Sequence, residues 1–104
     1  MNEKELKRTI NLLNDYVDDY LYEKQPKGGA ATVKVAHQAA QDFAKQYNYE
    51  VVIKGHIAFI CIQQNKQEET YDYLILDIEQ EPHVEAVTYA ASPETLRANT
   101  IKFN

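Results

Sequence analysis

The side chains of this chain that could do chemistry are one thiol, three imidazoles, three close carboxylates and the loop around a glycine pair. Cys61 lies inside Gly55-His56-Ile57-Ala58-Phe59-Ile60-Cys61-Ile62-Gln63. A nucleophilic thiol needs an accessible, electropositive setting, and Ile, Ala and Phe neighbours provide neither, so a reduced, buried thiol is expected. His37, His56 and His83 fall on three different elements and lack the H-E-x-x-H or paired-cysteine spacing of a zinc site. His37 sits at the edge of a helical stripe and reads as a boundary residue with a local hydrogen bond. Asp72, Asp77 and Glu79 share a strand. Asp77 and Glu79 lie on one face at roughly 7 Å, a spacing a carboxylate pair could use, but acids beside a turn at a sheet edge more simply serve solubility.

The loop Pro26-Lys27-Gly28-Gly29, with Thr32 in the turn that follows, could offer backbone N–H groups to an anion. It lacks the G-x-x-x-x-G-K-[ST] and G-x-G-x-x-G spacings, and it follows a helix where both motifs need a strand. A plain helix–helix connection is expected. Neither cofactor nor metal is implied, and no catalytic residue is assigned; the expectation is a protein that is not an enzyme.

Size and charge narrow the partners. With 104 residues, the chain has the length of one domain, 1–104, and 44% apolar residues supply a core without staples. The net charge of -5 argues against nucleic acid, whose backbone is held by clustered Lys and Arg, and in favour of a partner protein with a basic surface. There is no basic start followed by an apolar run, and no apolar stretch nears the roughly 20 residues that span a bilayer. Together with the lone cysteine, this gives a cytoplasmic expectation, with no membrane contact.

The elements that must position these residues begin with a helix. Asn2 followed three residues on by Glu5 predicts an N-cap and capping box, and Leu6, Ile10, Leu13, Val17 and Tyr20 make one apolar stripe. Pro26 ends the helix near Lys24. Its charges oppose the macrodipole, with Lys4, Lys7 and Arg8 near the start and Asp15, Asp18, Asp19 and Glu23 near the end. Lys4, Arg8, Asp15, Asp19 and Tyr22 face away from the stripe. Two antiparallel copies would set Lys4 against Asp19 and Arg8 against Asp15, so a homodimer is a further possibility.

A second helix is predicted from Ala30 or Ala31 to Tyr47, with Val33, Ala36, Ala40, Phe43, Ala44 and Tyr47 on its buried face. From Tyr49 the period becomes two. Tyr49, Val51 and Ile53 alternate with Glu50, Val52 and Lys54; Gly55 turns the chain into a strand over His56–Gln63; Gln64–Glu69 is the hairpin loop and Thr70–Glu79 the return. Glu81-Pro82 turns into a fourth strand, His83–Tyr89. Ser92-Pro93-Glu94 starts a helical turn over Pro93–Arg97 that Asn99 closes.

The fold class expected is α+β, with two N-terminal helices on one face of a four-stranded antiparallel meander, a possible fifth strand, and a short C-terminal helical turn. In outline the order of helices and sheet resembles cystatin-like, cone-shaped folds, and that resemblance implies a pocket between helices and sheet. Leu74, Leu76 and Ile78 should meet the helices. Tyr71, Tyr73 and Ile75 then occupy a second apolar face, to be covered by Ile101 and Phe103 of the tail, a second copy or a partner. Phe59 and Ile60 should be buried on opposite sides of the central strand.

The expected function is an accessory, inhibitor or immunity-type interaction protein working by surface complementarity, with Asp15, Asp18, Asp19, Tyr22, Tyr71 and Tyr73 as contact residues. The alternative is a small-molecule-binding domain or minor enzyme using a helix–sheet pocket that includes His37, His56 or Cys61.

Overall fold

Asn2 and Glu5 cap each other at the start of the chain. The Glu5 backbone N–H donates to Asn2 Oδ1 at 2.8 Å and Asn2 Nδ2 donates to Glu5 Oε1 at 3.0 Å, the reciprocal arrangement of a capping box. In the computed structural model, which describes residues 1–78 and 83–98, this cap opens helix α1, Glu3–Lys24. Gln25 ends it in the left-handed region at φ 44, the residue before Pro26 being unable to continue the helix. Helix α2 runs Gly29–Gln46, starting one or two residues earlier than expected because Gly28, at φ 91, supplies the reversal.

Four strands follow: β1 Glu50–Lys54, β2 Ile57–Asn65, β3 Thr70–Asp77 and β4 His83–Tyr89. They form an antiparallel meander in the order β1-β2-β3-β4. Gly55, at φ 60, turns β1 into β2. Strand β2 extends two residues past Gln63, so the hairpin loop shortens to four residues, 66–69. Asn65 holds that end closed, its Nδ2 donating to Thr70 Oγ1 at 3.1 Å and Asp72 Oδ1 at 3.2 Å. The β2–β3 register shifts between Cys61 and Gln63, a β-bulge. Helix α3, Pro93–Ala98, comes last. Glu79, the Glu81-Pro82 turn, Asn99, Ile101 and Phe103, and with them the fifth strand, lie outside the described residues.

Both helices lie on one face of the sheet. Leu13 and Val17 of α1, Ala36, Ala40, Phe43 and Ala44 of α2, and Ala58, Ile60, Leu74, Leu76 and Ile78 of the sheet form one buried cluster. The alanines let the helices approach closely, and each fully buried large side chain stabilises the fold by about 1.5 to 3 kcal/mol. Ala39, outside the predicted stripe, is also wholly buried, and Tyr47, inside it, is 40% exposed. The stripe therefore leans toward α1 at its middle and escapes the core at its end.

The opposite face carries Val52, Ile57, Phe59 and Tyr73, buried under Leu96 of α3. Phe59 and Ile60 thus point to opposite sides of the same strand, each almost fully buried. Helix α3 is fastened to β1: Lys54 Nζ donates to the Arg97 carbonyl at 2.9 Å, and Arg97 donates to Glu50 Oε2 at 3.2 Å and the Val51 carbonyl at 3.3 Å. The link between β4 and α3 must therefore cross the sheet from one edge strand to the other. No helix among the described residues is long and apolar enough to cross a membrane.

Candidate functional site

The outward face of α1 is a continuous polar surface. Lys4, Arg8, Asp15, Asp18, Asp19, Tyr22 and Glu23 are all exposed, and Tyr22 is 82% exposed, the most of any large apolar side chain described. None of Asp15, Asp18, Asp19 and Tyr22 forms a hydrogen bond or ion pair with another described residue. The charge layout is milder than the sequence pattern suggests. Glu3 and Glu5 in the first turn and Lys24 in the last agree with the macrodipole, so the opposition lies in the turns between.

Beside this face, between the helices, lies an open depression of about 490 Å³ lined by Tyr16, Tyr20, Asp42, Lys45 and Gln46. Tyr20 donates its hydroxyl proton to Asp42 Oδ2 at 2.5 Å, and Gln38 Nε2 donates to Asp42 Oδ1 at 2.9 Å, so both carboxylate oxygens are held in place. That hydrogen bond, with burial and the nearby negative charges of Asp42 and Glu23, pushes the Tyr20 phenol up to about 12. It remains a donor throughout the physiological range. Tyr16 stacks on Tyr20 with centroids 6.3 Å apart and meets Phe43 edge-on at 5.4 Å, and Tyr47 and Tyr49 extend the aromatic group. Sequence reasoning missed this pairing. The available signal was two tyrosines four apart at the margin of the α1 stripe.

The second sheet face corrects one expectation. Tyr73, expected as a contact residue, is wholly buried: its ring meets Phe59 edge-on at 6.2 Å, and its hydroxyl donates to the Ala91 carbonyl at 2.6 Å. The link that crosses from β4 to α3 passes over it. Among the described residues the cover is Leu96, with Ala91 packed beside it, and the expected contribution of Ile101 and Phe103 lies outside the described residues. Tyr71 keeps partial exposure on this face beside Cys61, Ile75 and Val87.

His37 lies near His56, and strand register sets His83 opposite Asp77, the carboxylate beside His56, while the thiol belongs to the opposite sheet face. His37 Nε2 is buried with no hydrogen-bond partner among the described residues, and burial lowers its pKa, an effect the nearby backbone of His56 partly offsets. His56 Nε2 stands 3.6 Å from Asp77 Oδ1. Cys61 points its thiol toward the Gln63 carbonyl at 3.9 Å; burial, aided by Glu50 and Asp72, raises its pKa, the reverse of what activates a nucleophile. Among the described residues no three His, Cys, Asp or Glu side chains are grouped to hold a metal ion.

Comparison with family models, curated proteins and solved structures finds no match, the cone-shaped folds that the sequence order resembles included.

Proposed function

We propose that this chain is a protein-interaction module that works by surface complementarity and carries out no chemistry of its own, as an accessory, inhibitor or immunity-type protein does. Its contact is the acidic half of the outward face of α1. The observation that carries the reading is the exposure of Asp15, Asp18, Asp19 and Tyr22 side by side with no partner among the described residues. An exposed tyrosine amid exposed carboxylates has the composition of a contact anchor inside a charged rim. The partner is a protein with a basic surface, met in the cytoplasm, where a lone thiol such as Cys61 stays reduced.

Triple neutralisation tests this. Asp15→Asn, Asp18→Asn and Asp19→Asn together remove three exposed charges, so the melting temperature should hold or rise slightly. Affinity capture from the native cell extract, followed by mass spectrometry, should recover a partner with the wild-type chain and lose it with the triple variant. Equal recovery by both would remove the acidic face as the contact. Light scattering separates the homodimer, in which Lys4 meets Asp19 and Arg8 meets Asp15 of a second copy, from a foreign partner.

A further inference from the structure

We infer that the depression between α1 and α2 is a socket for an arginine side chain of the partner, with Tyr16 and Tyr20 as its stacking wall and Asp42 as its counter-charge. The inference rests on the interaction reading above and adds the chemistry that the partner must present.

Three observations lead to a guanidinium. The wall consists of two half-buried tyrosine rings held nearly parallel, 27° between planes, and buttressed from behind by Phe43. Cations are drawn to such ring faces, arginine more often than lysine, because its planar and weakly hydrated group stacks at little desolvation cost. The floor holds a carboxylate whose orientation is already set, one hydrogen bond reaching each oxygen of Asp42 from Tyr20 and Gln38. A carboxylate oxygen has two acceptor positions, so each of these retains one for an incoming N–H, and a guanidinium offers donors at the matching fork spacing. The rim is acidic on the α1 side. Asp19 follows Tyr16 by three residues and Glu23 follows Tyr20 by three, the spacing that puts each pair on one helix face.

Lys45 opposes this arrangement. It lines the same depression and brings a positive charge that competes for Asp42. It is exposed on a flexible stem, so it can swing toward solvent when a better-fitting cation arrives. Removing its charge should therefore tighten the socket.

The test uses the full chain and a blocked five-residue peptide, Gly-Ser-Arg-Ser-Gly, against the same peptide with neutral, isosteric citrulline in place of arginine. Amide and aromatic NMR resonances are followed during titration. The arginine peptide should produce saturable shifts centred on Tyr16, Tyr20, Asp42 and Gln46, and the citrulline peptide none. Asp42→Asn keeps an acceptor for the Tyr20 hydroxyl and should weaken binding roughly three- to tenfold, while Lys45→Gln should strengthen it by roughly two- to threefold. Tyr16→Leu, which retains apolar packing against Phe43 but removes the ring face, should also weaken it, with the melting curve certifying the fold of each variant.

Equal shifts with citrulline, or unchanged affinity in a folded Asp42→Asn chain, overturn the socket. Either result leaves the capture experiment on Asp15, Asp18 and Asp19 to stand by itself. Loss of peptide binding in Asp42→Asn beside unchanged capture by the triple variant would sink the acidic-face reading and keep the socket.

Discussion

The Tyr73 hydroxyl donates to the carbonyl of Ala91 at 2.6 Å, and that one bond ties the middle of the second sheet face to the link that carries the chain over it. Tyr73 is wholly buried and Ala91 packs on the same cluster, so without this bond the buried hydroxyl would lack its partner. The link is pinned from both sides, by Tyr73 beneath it and by the attachment of α3 to β1 beyond it.

Tyr73→Phe keeps the ring between Phe59 and Tyr89 and removes only the donor. It should lower stability by about 1 to 2 kcal/mol in urea denaturation, with the slope of the transition unchanged. Tyr73→Ala should cost about 3 to 5 kcal/mol, because it opens a ring-sized cavity under Leu96. A Tyr73→Phe chain as stable as wild type would show that the Ala91 carbonyl finds another donor.

The two faces of the sheet differed in how far the sequence could describe them. The α1 start was legible because Asn2 and Glu5 report on each other across three residues, and the meander because period-two patterning separates Leu74, Leu76 and Ile78 from Tyr73 and Ile75. Such patterns say which residues share a side and are silent about what lies over them. Tyr73 was assigned to a partner because nothing local reveals that residues 90–92 cross above it. The Leu96 cover depends on Arg97 reaching Glu50, 47 positions away. The Tyr20–Asp42 bond was hidden for the same reason, joining residues 22 apart on two helices. Tyr22 was legible, since its position opposite the apolar stripe needs only the helical period.

The double burial of β2 makes a matched pair of substitutions informative. Phe59→Ala should cost about 3 to 5 kcal/mol and Ile60→Ala about 2 to 5 kcal/mol, since both side chains are essentially inaccessible. The losses should add within about 0.5 kcal/mol, because the side chains belong to separate clusters on opposite faces. A large coupling energy, measured by a double-mutant cycle, would mean that the two faces respond to one another through the backbone of β2.

Cys61 offers a chemical probe of the second face. Burial raises its thiol pKa above the ordinary value, so at any given pH less thiolate is present than in an unfolded chain. Alkylation by iodoacetamide at about pH 8 should be slower than that of a free cysteine and should accelerate in denaturant. Native-state modification at the free-cysteine rate would show that the thiol is neither screened nor shifted.

His37 should make the fold sensitive to mild acid. Its imidazole is desolvated, its Nε2 is buried without a partner among the described residues, and its folded-state pKa lies below the ordinary 6.5. As pH falls through 6.5 the unfolded chain takes up the proton first, so the unfolded state binds more protons and stability declines. The His37 contribution is complete above that value and is lost progressively toward the lowered folded value. Urea midpoints at about pH 7.5 and pH 5.5 should therefore separate for the wild-type chain, and His37→Gln, which cannot titrate, should narrow the gap. The single substitution separates this imidazole from the carboxylates, while His56, whose charge bears on His37, has its ring 3.6 Å from Asp77. An identical gap in both chains would assign the acid response elsewhere and leave the unpartnered nitrogen without an effect on stability.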